Sequence, residues 1–588
     1  MPLITALRKN SRGLRRARSV SCHPMDEKCK KMCKDAGASE GDGLGYDLSS
    51  FVFCRCMDRN KNNITTIYGP KHYSESSCTN ACKTHLEVDR GEVDDEGHCF
   101  CQYFGPTPLP FLGNLHTIAN LSPGYDAFLQ WRKEYGNVYT YWMAERPIVA
   151  ITDYKTIKET FIQDGDTYGG RYLFNEHIEI ARGGRLNGVI MTEGDENREN
   201  RRFALQILRE IGMGKSIIEL EILDEVEHMI AELRSEMDSN INDHDILKRL
   251  DLASGSVINQ VVFGYRFSGE NEEEFMTLKR LMDESVKEMS KPIRSIVMLY
   301  PSLRTFPFFK TAFERADKID QQTLEFLKAK IQKYTQKFEA EGLADSNEAL
   351  PFVGMYLRAK QSGNCDVNNG SILFRDDALL QFCADIWGAG HETISTTLSF
   401  GILYLLLDVD SQSKMQEELD KIVAPDEKVT IAHKARLPYT NAVINEVQRL
   451  ANLLPQNLFH RTMRDVELNG YILPKSTVVV PQISCVLFDE KIFPEPKRFK
   501  PERFLDKNGQ LLKVEELIPF SAGKRICLGE SLARMELFLF IANIFHTFKV
   551  RPVDPLNPPT SEKIAGFVVG LKHYEVRLQL RHSKQHSK

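Results

Sequence analysis

No run of about 18 uncharged apolar residues, the length a membrane-crossing helix needs, occurs anywhere along the 588 residues. A conventional transmembrane helix is therefore not written into the chain. A large excess of one charge is also missing. The 76 basic and 81 acidic side chains leave a formal net charge of -5, so the cationic footprint of a nucleic-acid binder is absent. No G-x-G-x-x-G or flavin-type module is present, which removes the dinucleotide-binding fingerprint. Cysteine is scarce over most of the length. Nine of the 13 cysteines lie at or before Cys101, leaving only Cys365, Cys383, Cys485 and Cys527 beyond it. That asymmetry marks a boundary, and the turn-rich Phe104-Gly105-Pro106-Thr107-Pro108-Leu109-Pro110 follows it. Its prolines oppose both helix and sheet.

The organisation predicted is a basic arm over 1–25, a cysteine-rich extension over 26–103, a main domain over 104–582 and a polar tail over 583–588. The arm holds Arg8, Lys9, Arg12, Arg15, Arg16 and Arg18 before the first acid, Asp26. Such a composition fits a mitochondrial transit peptide or a disordered basic arm, and it lacks the apolar core of a secretory signal. The extension repeats a pattern: Cys29-x3-Cys33 with Cys54-x-Cys56, then Cys78-x3-Cys82 with Cys99-x-Cys101. Cysteines four apart share a helix face and cysteines two apart a strand face. The pattern is similar to the cystine-stabilised α/β units of small secreted peptides, twice in tandem, with Cys22 left over. Zinc is the rival ligand for the same thiols. Disulfides require an oxidising compartment, where Asn63-Ile64-Thr65 would be a glycosylation acceptor.

Beyond the prolines, helical periodicity dominates. Ile218–Met237, Asp317–Glu341 and Ser413–Val423 read as charged amphipathic helices, and the proline-free Phe374–Leu407 as a long one. The clearest strands are Asn137–Trp142, Arg146–Ile151 and Ser476–Val480. Val297–Phe309 is apolar and broken by prolines, suited either to a bilayer surface or to core packing. The fold class expected is mostly α with small β-sheets, preceded by a short disulfide-rich α+β extension.

Three constellations carry chemistry. In Phe520-Ser521-Ala522-Gly523-Lys524-Arg525-Ile526-Cys527-Leu528-Gly529 one cysteine sits in a turn between glycines. Glycine opens conformations closed to other residues, and a helix starting at Glu530 would turn its positive end toward the sulfur and favour a thiolate. In Gly388-Ala389-Gly390-His391-Glu392-Thr393, glycines stand inside a helix, where they are costly. Thr393 either bonds back to a carbonyl one turn earlier or serves with Glu392 in proton transfer. Glu446-Val447-Gln448-Arg449 places an acid and a base on one helix face, with Arg503 downstream.

The pattern F-x-x-G-x-R-x-C-x-G resembles the haem-binding loop of the cytochrome P-450 monooxygenases. Gly388–Thr393 is similar to that family's oxygen-activation motif, and Glu446/Arg449 with Arg503 to its E-x-x-R pair and partner arginine. Arg201-Arg202-Phe203 through Lys215 looks most like the microsomal family-2 branch. The resemblance spans 104 to 580 and implies the cytochrome P-450 fold and haem b. It implies Cys527 as iron ligand, Arg525, His460 and Arg201 on the propionates, Ala389 and Phe520 beside the haem, and Thr393 and Glu392 as the catalytic proton relay. Asn197 stands where the family often has tryptophan. The implied reaction inserts one atom of O2 into a lipophilic xenobiotic, fatty acid or sterol-like molecule, with NADPH acting only through a separate reductase or another electron donor. Loops over 183–191, 453–458 and 566–570 would face the substrate. The implied location is the cytosolic face of the endoplasmic reticulum membrane, with the mitochondrion as alternative. An NADPH-independent haem-thiolate isomerase and a cysteine-rich interaction module fused to an inactive haem domain are the competing functions. The extension replaces the apolar anchor of microsomal members, as either a true fusion or a chimeric gene would produce.

Mass mapping of the unreduced chain from an oxidising environment tests the extension. Cys29 and Cys33 are expected bridged to Cys54 and Cys56, and Cys78 and Cys82 to Cys99 and Cys101. Reduced thiols with stoichiometric zinc would favour the metal reading.

Overall fold

The computed structural model describes residues 105–582 apart from 145, 173–186, 213–215, 290, 292, 294–295, 297–298, 347, 363–373, 375 and 470, together with short strands before residue 102. The chain divides into two compact units, 1–107 with 464–477, and 108–463 with 478–588. In the first, Phe51–Cys56 pairs antiparallel with Gly43–Leu48, and Cys99–Cys101 with Gly91–Val93. Both Cys-x-Cys pairs thus lie on strands. The Cys-x3-Cys segments, the basic arm and the polar tail lie outside the described residues. Val466–Leu468 and Tyr471–Leu473 form a further hairpin of this unit.

Among the described residues, the second unit has eleven longer helices: α1 Tyr125–Tyr135, α2 Gly194–Ile211, α3 Ser216–Asp238, α4 Ile246–Phe263, α5 Glu272–Met289, α6 Pro307–Ala340, α7 Phe352–Ser362, α8 Asp376–Leu407, α9 Val409–Ile422, α10 Pro438–Ala451 and α11 Glu530–Thr547. Its strands are β1 Val138–Met143, β2 Arg146–Ile151, β3 Gly170–Arg171, β4 Asp243–His244, β5 His460–Arg461, β6 Val478–Pro481, β7 Phe548–Pro552, β8 Lys563–Ile564, β9 Gly570–Leu571 and β10 Val576–Leu580. The amphipathic helices appear within a few residues of expectation. The exception is α6, which starts ten residues early because Pro307 fits a first helical turn, where no N–H is required. The strand expected from Ser476 begins at Val478 instead, since Ser476 takes a positive φ of 71°.

Helices α8 and α11 are apolar around their whole girth, so both must be buried. They pack against each other, α8 also against α4 and α11 also against α3. Asp408 ends this run: its carboxylate accepts from Ser411 N–H at 2.9 Å and caps α9, a usual way of satisfying an orphan donor. Chain direction changes there by 104°. The five-stranded sheet has the order β1-β2-β6-β5-β3. Its β1–β2 hairpin is antiparallel, β2 and β6 run parallel, and β5 lies antiparallel to both neighbours. The β5–β3 register sets His460 opposite Arg171, and so places two basic residues at one end of the sheet.

A charged network centred on the fully buried Glu446 and Arg449 ties α10 to the chain leading toward the Cys527 loop. Arg449 holds Glu446 with two bonds of 2.7 and 2.9 Å and donates to Leu487 O at 2.8 Å. Glu446 Oε1 also accepts from Lys500 N–H and Arg503 Nε, at 2.9 and 3.2 Å. Rings of Phe488 and Phe493 cover the guanidinium. Removing one partner from such a pair strands a buried charge and costs about 3–5 kcal/mol, comparable to a large part of a domain's stability. Glu446→Ala is therefore expected to leave little folded protein, measurable as soluble yield and loss of a cooperative thermal transition.

Candidate active site

The loop around Cys527 is shaped by contact with the turn Lys158–Gln163. Gly523 has φ +78°, and a Cβ there would lie 1.8 Å from the carbonyl oxygen of Phe161. The glycine before the cysteine is thus required twice, by conformation and by close approach. The glycine after it is not: Gly529 has φ -89° and caps α11, with open space where a Cβ would stand. The cysteine's own amide is tied to Phe520 O at 3.1 Å. The ring of Phe520 is covered by the Arg534 guanidinium, 5.0 Å from its centroid.

Cys527 is exposed, whereas Cys383 and Cys485 are buried. Surrounding protein nevertheless desolvates the thiol and raises its pKa, opposed by the Gly529 amide and the Arg201 guanidinium. Accessible surface together with strong desolvation describes a sulfur on the wall of a concavity. The thiols of Cys383 and Cys485 are pushed up further, to about 12 for Cys485, and are inert by comparison.

Four basic groups gather beside this loop. Arg201, on α2, donates to Ile526 O at 2.6 Å. Arg525 donates to Thr192 O, while its Nε is buried with no partner. Arg171 donates to Ile190 O at 3.2 Å and Phe459 O at 3.5 Å. His460 Nδ1 donates to Tyr168 O at 2.8 Å. Burial depresses all of them, and repulsion from neighbouring cations adds to it for Arg171, Arg525 and His460: Arg525 falls to about 10 and His460 well below the usual histidine range. None of these guanidinium bonds ends on a carboxylate among the described residues. Glu193 lies close but is engaged by Arg461 and by the Arg171 amide. A cluster of desolvated cations bonded only to carbonyls, with one donor unused, fits a ligand carrying several anionic oxygens.

Arg171 was not among the residues expected. Its only sequence signal is a Gly-Arg pair, and what recruits it is strand pairing with His460. Asn197, by contrast, contributes nothing to the cluster: its amide N–H groups bond to Val189 O at 2.8 Å and Thr192 Oγ1 at 3.1 Å.

Thr393, Glu392 and Ala389 stand on α8. Ala389 is exposed midway along this buried helix, between half-buried Gly388 and Gly390. The glycines differ in purpose. A Cβ on Gly390 would come within 2.6 Å of Ile258 on α4, whereas beside Gly388 there is open space. The helix runs unbroken through this segment, and Thr393 Oγ1 donates to Ala389 O at 2.7 Å. The back-bond named as the alternative is therefore made. Glu392 has a raised pKa because burial outweighs Lys279, whose ammonium lies 3.9 Å away. Neighbouring His391 is buried, and its pKa is lowered to about 4.

The loops expected to face substrate are pinned to this framework. Asp385 of α8 accepts from Val189 and Ile190 N–H at 2.8 and 3.1 Å. Val569 N–H reaches Leu453 O at 2.8 Å. Residues 183–186 lie outside the described residues. Gly523→Ala offers a test of the loop. The added methyl should displace Cys527 and lower haem content at least tenfold, read from the absorbance of the reduced, carbon-monoxide-bound protein.

Comparison with known proteins agrees with this geometry. Residues 104–578 match the family described as Cytochrome P450. The chain is 34% identical over 464 residues to cytochrome P450 2G1 of Oryctolagus cuniculus, covering 79% of this chain and 90% of that protein. It is 35% identical over 466 residues to cytochrome P450 2C25 of Mesocricetus auratus, and 35% over 474 to cytochrome P450 2C41 of Canis lupus familiaris, covering 79% of this chain and 91% of the relative in each case. The chain belongs to the cytochrome P450 family, in its microsomal family-2-like branch, and is a haem-dependent monooxygenase.

Proposed function

We propose that this enzyme oxygenates a lipophilic small molecule of the xenobiotic, fatty acid or sterol-like kind. Its NADPH-derived electrons come from a separate reductase, at the cytosolic face of the endoplasmic reticulum membrane. The observation that carries the reading is the juxtaposition of one accessible thiol, Cys527, with four desolvated basic groups. Cys527 is the iron ligand, and Arg171, Arg201, Arg525 and His460 hold the propionates. When bound through a thiolate, haem iron supplies oxygen activation, the sulfur favouring O–O cleavage.

The residues have separable tasks. Burial raises the pKa of the Cys527 thiol, so holding iron would require it to give up its proton. The Gly529 amide, Arg201 and the N-terminus of α11 stabilise the thiolate thus formed. His460 keeps its proton on Nδ1, bonded to Tyr168 O, so a carboxylate set against Nε2 requires the imidazolium form. Binding of an anion there takes up a proton. Glu392, with its raised pKa, retains a proton to higher pH than an ordinary carboxyl. Thr393 can rotate its hydroxyl away from Ala389 O and pass a proton on. Ala389, the exposed small residue on α8, and Phe520 line the haem.

Membrane contact is supported by exposed apolar side chains in two places. Phe306 and Phe308 are 57% and 73% exposed, and Phe111 is 70% exposed. Tyr300 Oη donates to Phe111 O at 2.9 Å and links the two segments. The apolar stretch read from sequence thus presents aromatic rings to the surroundings, as an interfacial segment does. Among the described residues, no single helix is long and apolar enough to cross a membrane. The cysteine-rich extension, residues 26–103, is a separate domain that the oxygenation chemistry does not use.

Two substitutions test the site. Cys527→Ser should abolish turnover and the red-shifted Soret band of the reduced carbon-monoxide complex; retained turnover would overturn the ligand assignment. Thr393→Ala should keep haem and NADPH consumption but divert electrons to hydrogen peroxide, lowering product per NADPH several-fold. An unchanged ratio would remove Thr393 from the relay.

A further inference from the structure

Three potential metal ligands meet at the C-terminal end of α11, the end opposite the Cys527 loop. Pairing of β10 with β7 sets Leu580 opposite Phe548, which carries Arg581 and His582 past the end of α11. Arg581 donates to Phe545 O and His546 O at 3.1 and 3.0 Å. Its other terminal nitrogen reaches Asp420 Oδ2, on α9, at 2.6 Å. Gln416, one turn earlier on α9, donates to Phe545 O and Phe548 O at 3.1 and 2.9 Å. These bonds hold the ends of two helices and the C-terminal strand together. One ligand atom from each of Asp420, His546 and His582 lies within 4.8 Å of the other two.

The donor chemistry of each side chain is specific. His546 is 4% exposed, and its Nε2 donates to Ala424 O at 3.1 Å. The proton is therefore on Nε2, and Nδ1 presents a lone pair. That atom is buried with no hydrogen-bond partner. A histidine whose second nitrogen donates to a backbone carbonyl is oriented as metal-binding histidines are. His582 Nε2 is likewise buried and without a hydrogen bond, although it lies 3.5 Å from Asp420 Oδ1. In a tetrahedral zinc site with bonds of about 2.0–2.2 Å, two ligand atoms stand about 3.3–3.6 Å apart. Arg581 orients the carboxylate through its other oxygen.

We propose that Asp420, His546 and His582 form a zinc site that clamps the C-terminal strand to the ends of α9 and α11. Imidazole and carboxylate donors suit zinc, and water completes the coordination. His582 lies beyond the residues, 104–578, that match the family. It supplies no step of oxygenation.

The test is a difference measurement on the full-length, haem-loaded protein, because the early cysteines can also take up zinc. Chelator-stripped wild type, His582→Ala and Asp420→Asn are dialysed against Zn2+, and bound metal is counted. Wild type should hold about one zinc more per chain than His582→Ala, and Asp420→Asn should bind that ion at least tenfold more weakly. Zinc should raise the melting temperature of wild type but not of His582→Ala. The haem spectrum of each variant reports that it is folded. Equal zinc content in wild type and His582→Ala, with equal thermal response, would overturn the site and leave Asp420, His582 and Arg581 as an ion-pair cluster.

Discussion

The bond on which the rest of this structure leans is the one between Glu446 and Arg449. Two formal charges lie with no access to water, a placement tolerated only when every donor and acceptor is matched. Here they are matched by Lys500 N–H, Arg503 Nε and Leu487 O. Because those partners come from separated stretches of chain, satisfying the pair also fixes where α10 stands relative to the segment running toward Cys527. A surface pair with the same three-residue spacing would contribute little. Burial turns it into a constraint on the fold.

The basic cluster beside Cys527 inverts that logic. Arg171, Arg525 and His460 are buried as well, but they are met by carbonyl oxygens and by one another. Glu446 has its countercharge built in, and the cluster does not. The first arrangement is complete within the protein and structural. The second is left open to an anionic ligand, as the proposed haem site requires. The same contrast separates three of the four late cysteines: Cys383 and Cys485 are buried, while Cys527 keeps accessible surface under a helix N-terminus.

Along α8 one stretch of helix serves two demands. Gly390 is small so that Ile258 of α4 can pack against it, a matter of core geometry. Ala389 and Gly388 leave a face of the helix accessible, next to Thr393 and the partly buried Glu392. Glycine spacing in the sequence does not distinguish the two, because both require the same missing side chain.

Much of this was legible without coordinates. Periodicity located α3, α9 and the long apolar α8, and the clustered spacing F-x-x-G-x-R-x-C-x-G singled out one cysteine from 13. Those signals are local: a helix face repeats every few residues, and a turn needs its glycine in place. The sequence by itself therefore determined the family and the mostly helical class, and it singled out the sulfur for the proposal. It could not select Arg171, which joins His460 through strand pairing across nearly three hundred residues, nor show that Asn197 spends its amide on a neighbouring loop. It did not separate Gly523, pressed against Phe161 O, from Gly529, which meets nothing. It also hid the meeting of Asp420, His546 and His582. Only the tertiary structure decided these, because burial and partner choice depend on residues that the chain brings together by folding.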